Sequence, residues 1–406
     1  MNILYLSQVY SAKPMHAAVV TTYEIVKRLA ERGHKVTILV PNFDNDRRIR
    51  SAANKLTVHS NVDIVAFTSL PDNVLQENLL SYGLACTAWY APILVKALMR
   101  KNFDVIISMY HPSHLATLSS YVLSKFLKLP LIVKVHDLLP DLTDPNFLRR
   151  THKKTIFKLN LAFLRKSDFV LIQSTEWLDL ATRVYGVNAK KIILFPTGVD
   201  VNKFNPEIES NDIRKTLGLE DKRILLFTGQ ISRDRGLDRL IAAMPKIVKE
   251  EPDVRFIVIG KGPEKSRLFD LSKHLKVDKF ILFLGEVSHE SIPEYVLLAD
   301  VAIGPLTVLP ITVGTIPKKV LEYLACGKPV VACHGGVSKD LVIDGYNGVL
   351  VDPLNVDELS LAIIRLIKDR KLAKRLGENA RRHVESSYDW SAIETLDKVL
   401  EKVCSK

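Results

Sequence analysis

Short runs of apolar residues recur along the chain. Between them the apolar positions fall at the three-to-four spacing of amphipathic helices. In the first half the runs are 3–6, 36–40, 62–66, 105–107, 131–133, 169–172 and 192–194; in the second they are 224–227, 256–259, 281–283, 301–303 and 330–332. This alternation predicts parallel strands covered by helices, because a strand that is apolar throughout must be buried on both faces. The expected fold is α/β, with two doubly wound Rossmann-like domains that bind ligand at the carboxyl ends of their strands. Turn formers concentrate over 195–206, FPTGVDVNKFNP, which places a first domain at 1–195 and a second at 196–387. Tyr388-Asp389-Trp390 opens a last helix, 388–406.

The stretch 304–333, GPLTVLPITVGTIPKKVLEYLACGKPVVAC, carries the most chemical information. Pro317 suits the first position of a helix, where its missing N–H costs nothing. Val320, Leu321, Leu324 and Ala325 follow at helical spacing, Gly327 ends the helix in a left-handed cap, and Pro329 prevents its resumption. A loop rich in Thr and Gly thus feeds a helix N-terminus, which attracts anions. Lys319 and Glu322, three residues apart, share a face of that helix. A cation for a diphosphate and a carboxylate for ribose hydroxyls suit a sugar nucleotide.

Two further glycine-rich turns follow apolar runs. Gly229-Gln230-Ile231-Ser232-Arg233-Asp234-Arg235-Gly236 opens the next helix, so its backbone N–H groups and the helix dipole face an anion. Gly260-Lys261-Gly262-Pro263 and, downstream, Gly285-Glu286-Val287 let backbone approach a planar ligand; each also reads as an ordinary strand-to-helix turn.

The pattern PxKxxEYxAxGKPVV resembles the donor segment of retaining glycosyltransferases of family 4, which have the GT-B fold, two Rossmann-like domains facing across a cleft. FTGQISRDRGLDRLIAAM, RFIVIGKGPEKSRL, FLGEVSHESIPEYVLLADVAIGP and GGVSKDLVIDGYNGVLVDP resemble further family motifs in the family order, and MNILYLSQVY resembles its first strand. The resemblance covers most of the chain. It implies a donor site of Gly229, Gln230, Arg235, Gly260, Gly262, Glu286, Val287, Gly314, Thr315, Ile316, Lys319 and Glu322 in the second domain, with the last helix crossing back to the first. Two departures stand out. Gln230 occupies a position where the family usually has Arg, and Gly314 the position of the first of two glutamates eight residues apart, of which Glu322 is the second. With that carboxylate missing, the amides of Thr315 and Ile316 are left for the diphosphate or sugar.

The implied reaction is transfer of a hexosyl group from a nucleotide-sugar to a lipid-linked or glycan acceptor, with retention. No carboxylate pair is placed for a double displacement. Arg235 and Lys319 are therefore expected to stabilise the departing diphosphate, metal-independent and with no cofactor beyond the donor. In the first domain the resemblance assigns a catalytic or acceptor role to His111 and acceptor contacts to His16, His136 and Asp137. No histidine pair has a zinc-site spacing. A non-catalytic nucleotide-sugar-binding subunit and a GT-B sugar-nucleotide epimerase are the rival readings.

Composition narrows the partners. The formal charge of +12 fits nucleic acid or an anionic membrane, but no nucleic-acid motif is present. The region 149–166, RRTHKKTIFKLNLAFLRK, clusters basic residues around an apolar stripe; it fits a helix lying on anionic headgroups as well as a solvated helix packed on its own domain. The uncharged segment 78–95 is too polar and too broken by Gly83 and Pro92 for a membrane span. The N-terminus lacks a charged, cleavable leader, and four cysteines show no pairing pattern. A cytoplasmic protein, peripheral on the membrane, is expected.

Overall fold

The computed structural model describes residues 1–7, 17–41, 59–67, 102–110, 112, 116–140, 146–208, 211–309, 312–390 and 393–404. They fall into two compact units, Met1–Pro196 with Ala392–Lys406, and Thr197–Ser391. His16, His111 and the segment 78–95 lie outside the described residues.

In the first unit β1 (Asn2–Leu6), β2 (Lys35–Pro41), β3 (Val62–Phe67), β4 (Val105–Tyr110), β5 (Leu131–Val135), β6 (Phe169–Ile172) and β7 (Ile192–Leu194) form one sheet in the order β3-β2-β1-β4-β5-β6-β7. Every pairing is parallel. The direction of winding reverses between β1 and β4, the switch point at which such sheets open a crevice. The helix Ile393–Cys404 belongs to this unit, where its Asp397 takes Arg32 and, at 3.3 Å, His34 Nε2.

The second unit holds β8 (Arg223–Thr228), β9 (Val254–Ile259), β10 (Ile281–Gly285), β11 (Val301–Ile303), β12 (Val330–Cys333) and β13 (Gly348–Val351), ordered β10-β9-β8-β11-β12-β13. These too pair in parallel. The pleat divides the core in two. Ile224, Leu226, Ile257, Ala302 and Val330 pack on one side, and Leu225, Phe227, Phe256, Val301 and Val331 on the other. Each fully buried Leu, Ile or Phe contributes about 1.5–3 kcal/mol by leaving water. β13 escapes the periodicity because it is four residues long and opens on Gly348, whose missing Cβ makes room for the Val330 carbonyl.

The helix Phe147–Leu164 carries features of both readings of the basic region. Ile156, Leu161 and Leu164 are buried in their own unit, so half of the apolar stripe is core. Lys154, Lys158 and Leu159 stay exposed, and the helix Ala116–Leu127 in the same unit exposes Val122 and Phe126, the latter by 75%. Lys125 and Lys166 both lie over the Tyr121 ring, at 5.3 and 5.8 Å.

Candidate functional site

In the second unit the winding reverses between β8 and β11, so their carboxyl ends should flank the ligand crevice. The chain leaves β8 through Gly229 at φ +119, makes a tight turn over Arg233–Arg235, and enters the helix Leu237–Glu250 through Gly236 at φ +70. Both angles favour glycine. Close approach fixes the remaining glycines. A Cβ on Gly260 would collide with the Gly229 carbonyl oxygen, and one on Gly262 with that of Ile231. The turns are laced together by Gly229 N–H donating to Ile259 O at 2.8 Å, Ile231 N–H to Lys261 O at 2.9 Å and Gly260 N–H to Gly285 O at 2.6 Å. An ion pair between Lys261 and Glu286 closes the same cluster, and Val287 packs partly buried on the core. After β11, Leu306 N–H donates to Arg235 O at 3.1 Å and the Thr307 hydroxyl to Asp234 O, strapping the phosphate-type loop from the other side.

The helix Lys318–Ala325 points into this cluster. Pro317 precedes it as the cap residue rather than its first member, with φ −67 and ψ 124, and Gly327 closes the far end at φ +66. Every residue from Val320 to Ala325 is buried, Glu322 and Tyr323 included. The Tyr323 hydroxyl accepts the Thr228 N–H at 2.7 Å and bonds the Thr228 hydroxyl at 2.9 Å, pinning the last residue of β8 before the loop begins. Burial raises that phenol's pKa, which keeps it neutral.

Lys319 is the pivotal residue. Its Nζ is buried and has no hydrogen-bond partner among the described residues. It sits 3.7 Å from the centre of the Phe227 ring, and 3.5 Å from where a Gly229 Cβ would be. Burial, then repulsion by Arg235, holds the amine's pKa well below the ordinary lysine range, with Asp234 and Glu322 opposing. A buried cation beside another cation is an arrangement that an anion would relieve. Ser232 Oγ, in the Gly229–Gly236 loop, is likewise buried without a partner among the described residues.

The other expected donor residues take less uniform places. Gln230 is exposed, and Arg235 is half-buried, pairing with its neighbour Asp234 at 3.3 Å. Gly314 is buried at φ +70, so a glutamate there would need a backbone that L side chains rarely adopt. The Thr315 amide corrects an expectation: it donates to Thr312 O at 3.1 Å and is not left over for a ligand. Ile316 buries its side chain in the core. Glu322 gives one carboxylate oxygen to His289 Nε2 at 3.0 Å. His289 was not legible in the sequence, because it lies 33 residues away on a different strand-to-helix connection.

In the first unit, His136 and Asp137 follow β5 directly. The His136 Nδ1 is enclosed without a partner among the described residues; burial lowers its pKa, Asp137 opposing and Lys134 assisting. Lys134, on β5, is itself buried, with Nζ 5.0 Å from the Phe195 ring centre, and burial lowers its pKa to about 8. Among the described residues no three His, Cys, Asp or Glu side chains gather as a metal site, and no helix is long and apolar enough to cross a membrane.

Residues 18–203 match the family described as Glycosyltransferase Family 4, and residues 209–383 the family described as glycosyl transferases group 1. The chain is 26% identical to the alpha-D-kanosaminyltransferase of Streptomyces kanamyceticus, over 91% of this chain and 95% of that protein. It is 29% identical to a GDP-mannose-dependent alpha-(1-6)-phosphatidylinositol monomannoside mannosyltransferase of Mycolicibacterium smegmatis, over 48% of this chain and 52% of that one. Among solved structures, Anabaena Alr3699/HepE in complex with UDP aligns with a TM-score of 0.79 at 20% identity, covering 99% of this chain and 100% of that one. That last likeness is one of fold.

Proposed function

Because the chain is a glycosyltransferase of the GT-B fold, with a Glycosyltransferase Family 4 domain followed by a group 1 domain, we propose that it transfers a hexosyl group from a nucleotide-sugar to a lipid-linked or glycan acceptor, with retention. The observation that carries the donor half of this reading is Lys319, a buried amine with no hydrogen-bond partner among the described residues, at the mouth of a glycine loop. A diphosphate placed there answers that charge, and Arg235 meets it from the loop once released from Asp234. Glu322 lies one turn along the helix, where ribose hydroxyls would follow. The UDP bound by the Anabaena protein, which shares this fold, supports a nucleotide-linked donor. Lys319 and Arg235 stabilise the charge that develops on the leaving diphosphate, the work a divalent metal does in other transferases.

Incubation with UDP-, GDP- and ADP-sugars, with release of nucleoside diphosphate as the readout, tests the reading. One of the donors is expected to be consumed, and Arg235→Ala to slow that consumption about 100-fold with the fold intact. Wild-type turnover in the variant would remove Arg235 from the mechanism, and no consumption of any donor would remove the transferase reading itself.

The acceptor half rests on the first unit. Its exposed Lys154, Lys158, Leu159 and Phe126 combine cations with apolar side chains, and the mycobacterial relative's name specifies a phosphatidylinositol mannoside. Such a surface binds anionic lipid, each near-surface cation adding about 1 kcal/mol. Co-sedimentation should show binding to phosphatidylserine vesicles that weakens steeply as salt rises from about 0.1 M to about 1 M, where the Debye length falls from ~10 to ~3 Å. Equal binding to neutral vesicles, or none to either, would assign the basic surface to solubility and favour a soluble glycan acceptor.

A further inference from the structure

We propose that Lys203 and His289 are positioning residues for Glu322, forming a three-member relay that sets this carboxylate for the hydroxyls of the donor's ribose; the inference rests on the donor site proposed above. The distances form a continuous chain. Lys203 Nζ lies 2.9 Å from His289 Nδ1, and His289 Nε2 lies 3.0 Å from Glu322 Oε1. The chemistry gives the chain a direction. An ammonium has only donors, so Nδ1 must accept, which leaves the proton on Nε2 to be donated to the carboxylate.

Glu322 needs such support because it is only 5% exposed, on a helix buried from Val320 to Ala325. A carboxylate taken so far from water must be hydrogen-bonded, and its orientation is set by whichever donor holds it. His289 engages one oxygen, so the rotation of the whole group is fixed relative to the glycine loop. The relay is itself braced. The Phe204 ring packs 5.7 Å from the imidazole. Arg381 Nη1 donates to Val201 O at 3.0 Å, to Phe204 O at 2.6 Å and to Ala325 O at 2.7 Å. One guanidinium therefore fastens the segment that carries Lys203 to the end of the helix that carries Glu322. A relay needed only to neutralise a buried acid would not require this second fastening.

The readout is discrimination between ribose and 2′-deoxyribose. Calorimetric affinities would be measured for UDP, GDP and ADP and for their 2′-deoxy analogues, on wild type, His289→Ala, Lys203→Met and Lys203→Arg, with thermal melts as a fold control. Wild type should prefer the ribonucleotide of its best base by about 10-fold, the worth of one hydrogen bond to a charged group. His289→Ala and Lys203→Met should bring that ratio to within about 2-fold, while Lys203→Arg, which still donates, should restore it. Adding His289→Ala to Glu322→Gln should change the ratio no further, since both act through one carboxylate. A ratio unchanged in both His289→Ala and Lys203→Met, with tight binding retained, would overturn the relay and leave the donor site standing. Failure of wild type to bind any of the nucleotides would overturn the donor site and the relay with it.

Discussion

Replacing Lys319 with Met is expected to lower turnover by about 10²–10³-fold and, at the same time, to make the unliganded protein more stable. The two effects have one cause. The Lys319 amine is buried against Phe227 with no hydrogen-bond partner among the described residues and is repelled by Arg235, so folding works against its charge until an anion arrives. Its pKa in the folded chain lies below its unfolded value, so the unfolded chain binds a proton that the folded chain tends to shed. Lys319 should then add to a rise in stability with pH toward the ordinary lysine range, and the Met variant should show a smaller rise, the share of Lys134 remaining. A diphosphate favours the ammonium, so at any pH where the folded chain has shed this proton, nucleotide binding should take one up. Calorimetry in two buffers of different ionisation enthalpy would read that uptake, and it should vanish in Lys319→Met. A variant that is less stable than wild type, or that turns over at the wild-type rate, would show that the amine serves packing and not the donor.

Lys134→Met should stabilise the first unit by about 3 kcal/mol at pH 7, a rise in melting temperature of several degrees. The side chain is fully buried on β5, and burial alone brings its pKa from 10.5 to about 8. The penalty for charge is present in full below pH 8, where folded and unfolded chains are both protonated. It fades between pH 8 and 10.5, as the folded chain gives up its proton first, and is gone above. The stabilisation by Met should therefore shrink steadily over that window, and melts of the two proteins at pH 7, 9 and 10.5 would follow it. An advantage independent of pH would point to better packing instead.

The fold was legible because its strands are buried on both faces, and an apolar run such as LLF in β8 can then belong to little else. β13 was not, since four residues opening on glycine carry no periodic signal. At the site, the glycine turns could be placed by their spacing, but their collisions could not: that Gly260 presses on Gly229 depends on β8 and β9 being neighbours. Lys319 shows the sharper limit. Its spacing from Glu322 marks it for a diphosphate, but only packing against Phe227 reveals an amine sealed from water. Lys203 and His289 come from two separate connections and Glu322 from a helix, and a sequence without its pairing geometry offers no reason to join them. The Thr315 amide was lost to a local turn that side-chain identities do not disclose.

The stacked glycines limit how this protein can evolve. Gly229 and Gly260, and Ile231 and Gly262, meet backbone to backbone, so a side chain on either glycine of the second turn has nowhere to go. No single-step mutation there leads to a folded neighbour, and the scaffold of the site is frozen. Variation is confined to the positions between the fixed points whose side chains face outward, Gln230 and Glu286 among them. A lineage of this fold would be expected to change its donor by substituting those bristles, one at a time, on a spine that cannot move.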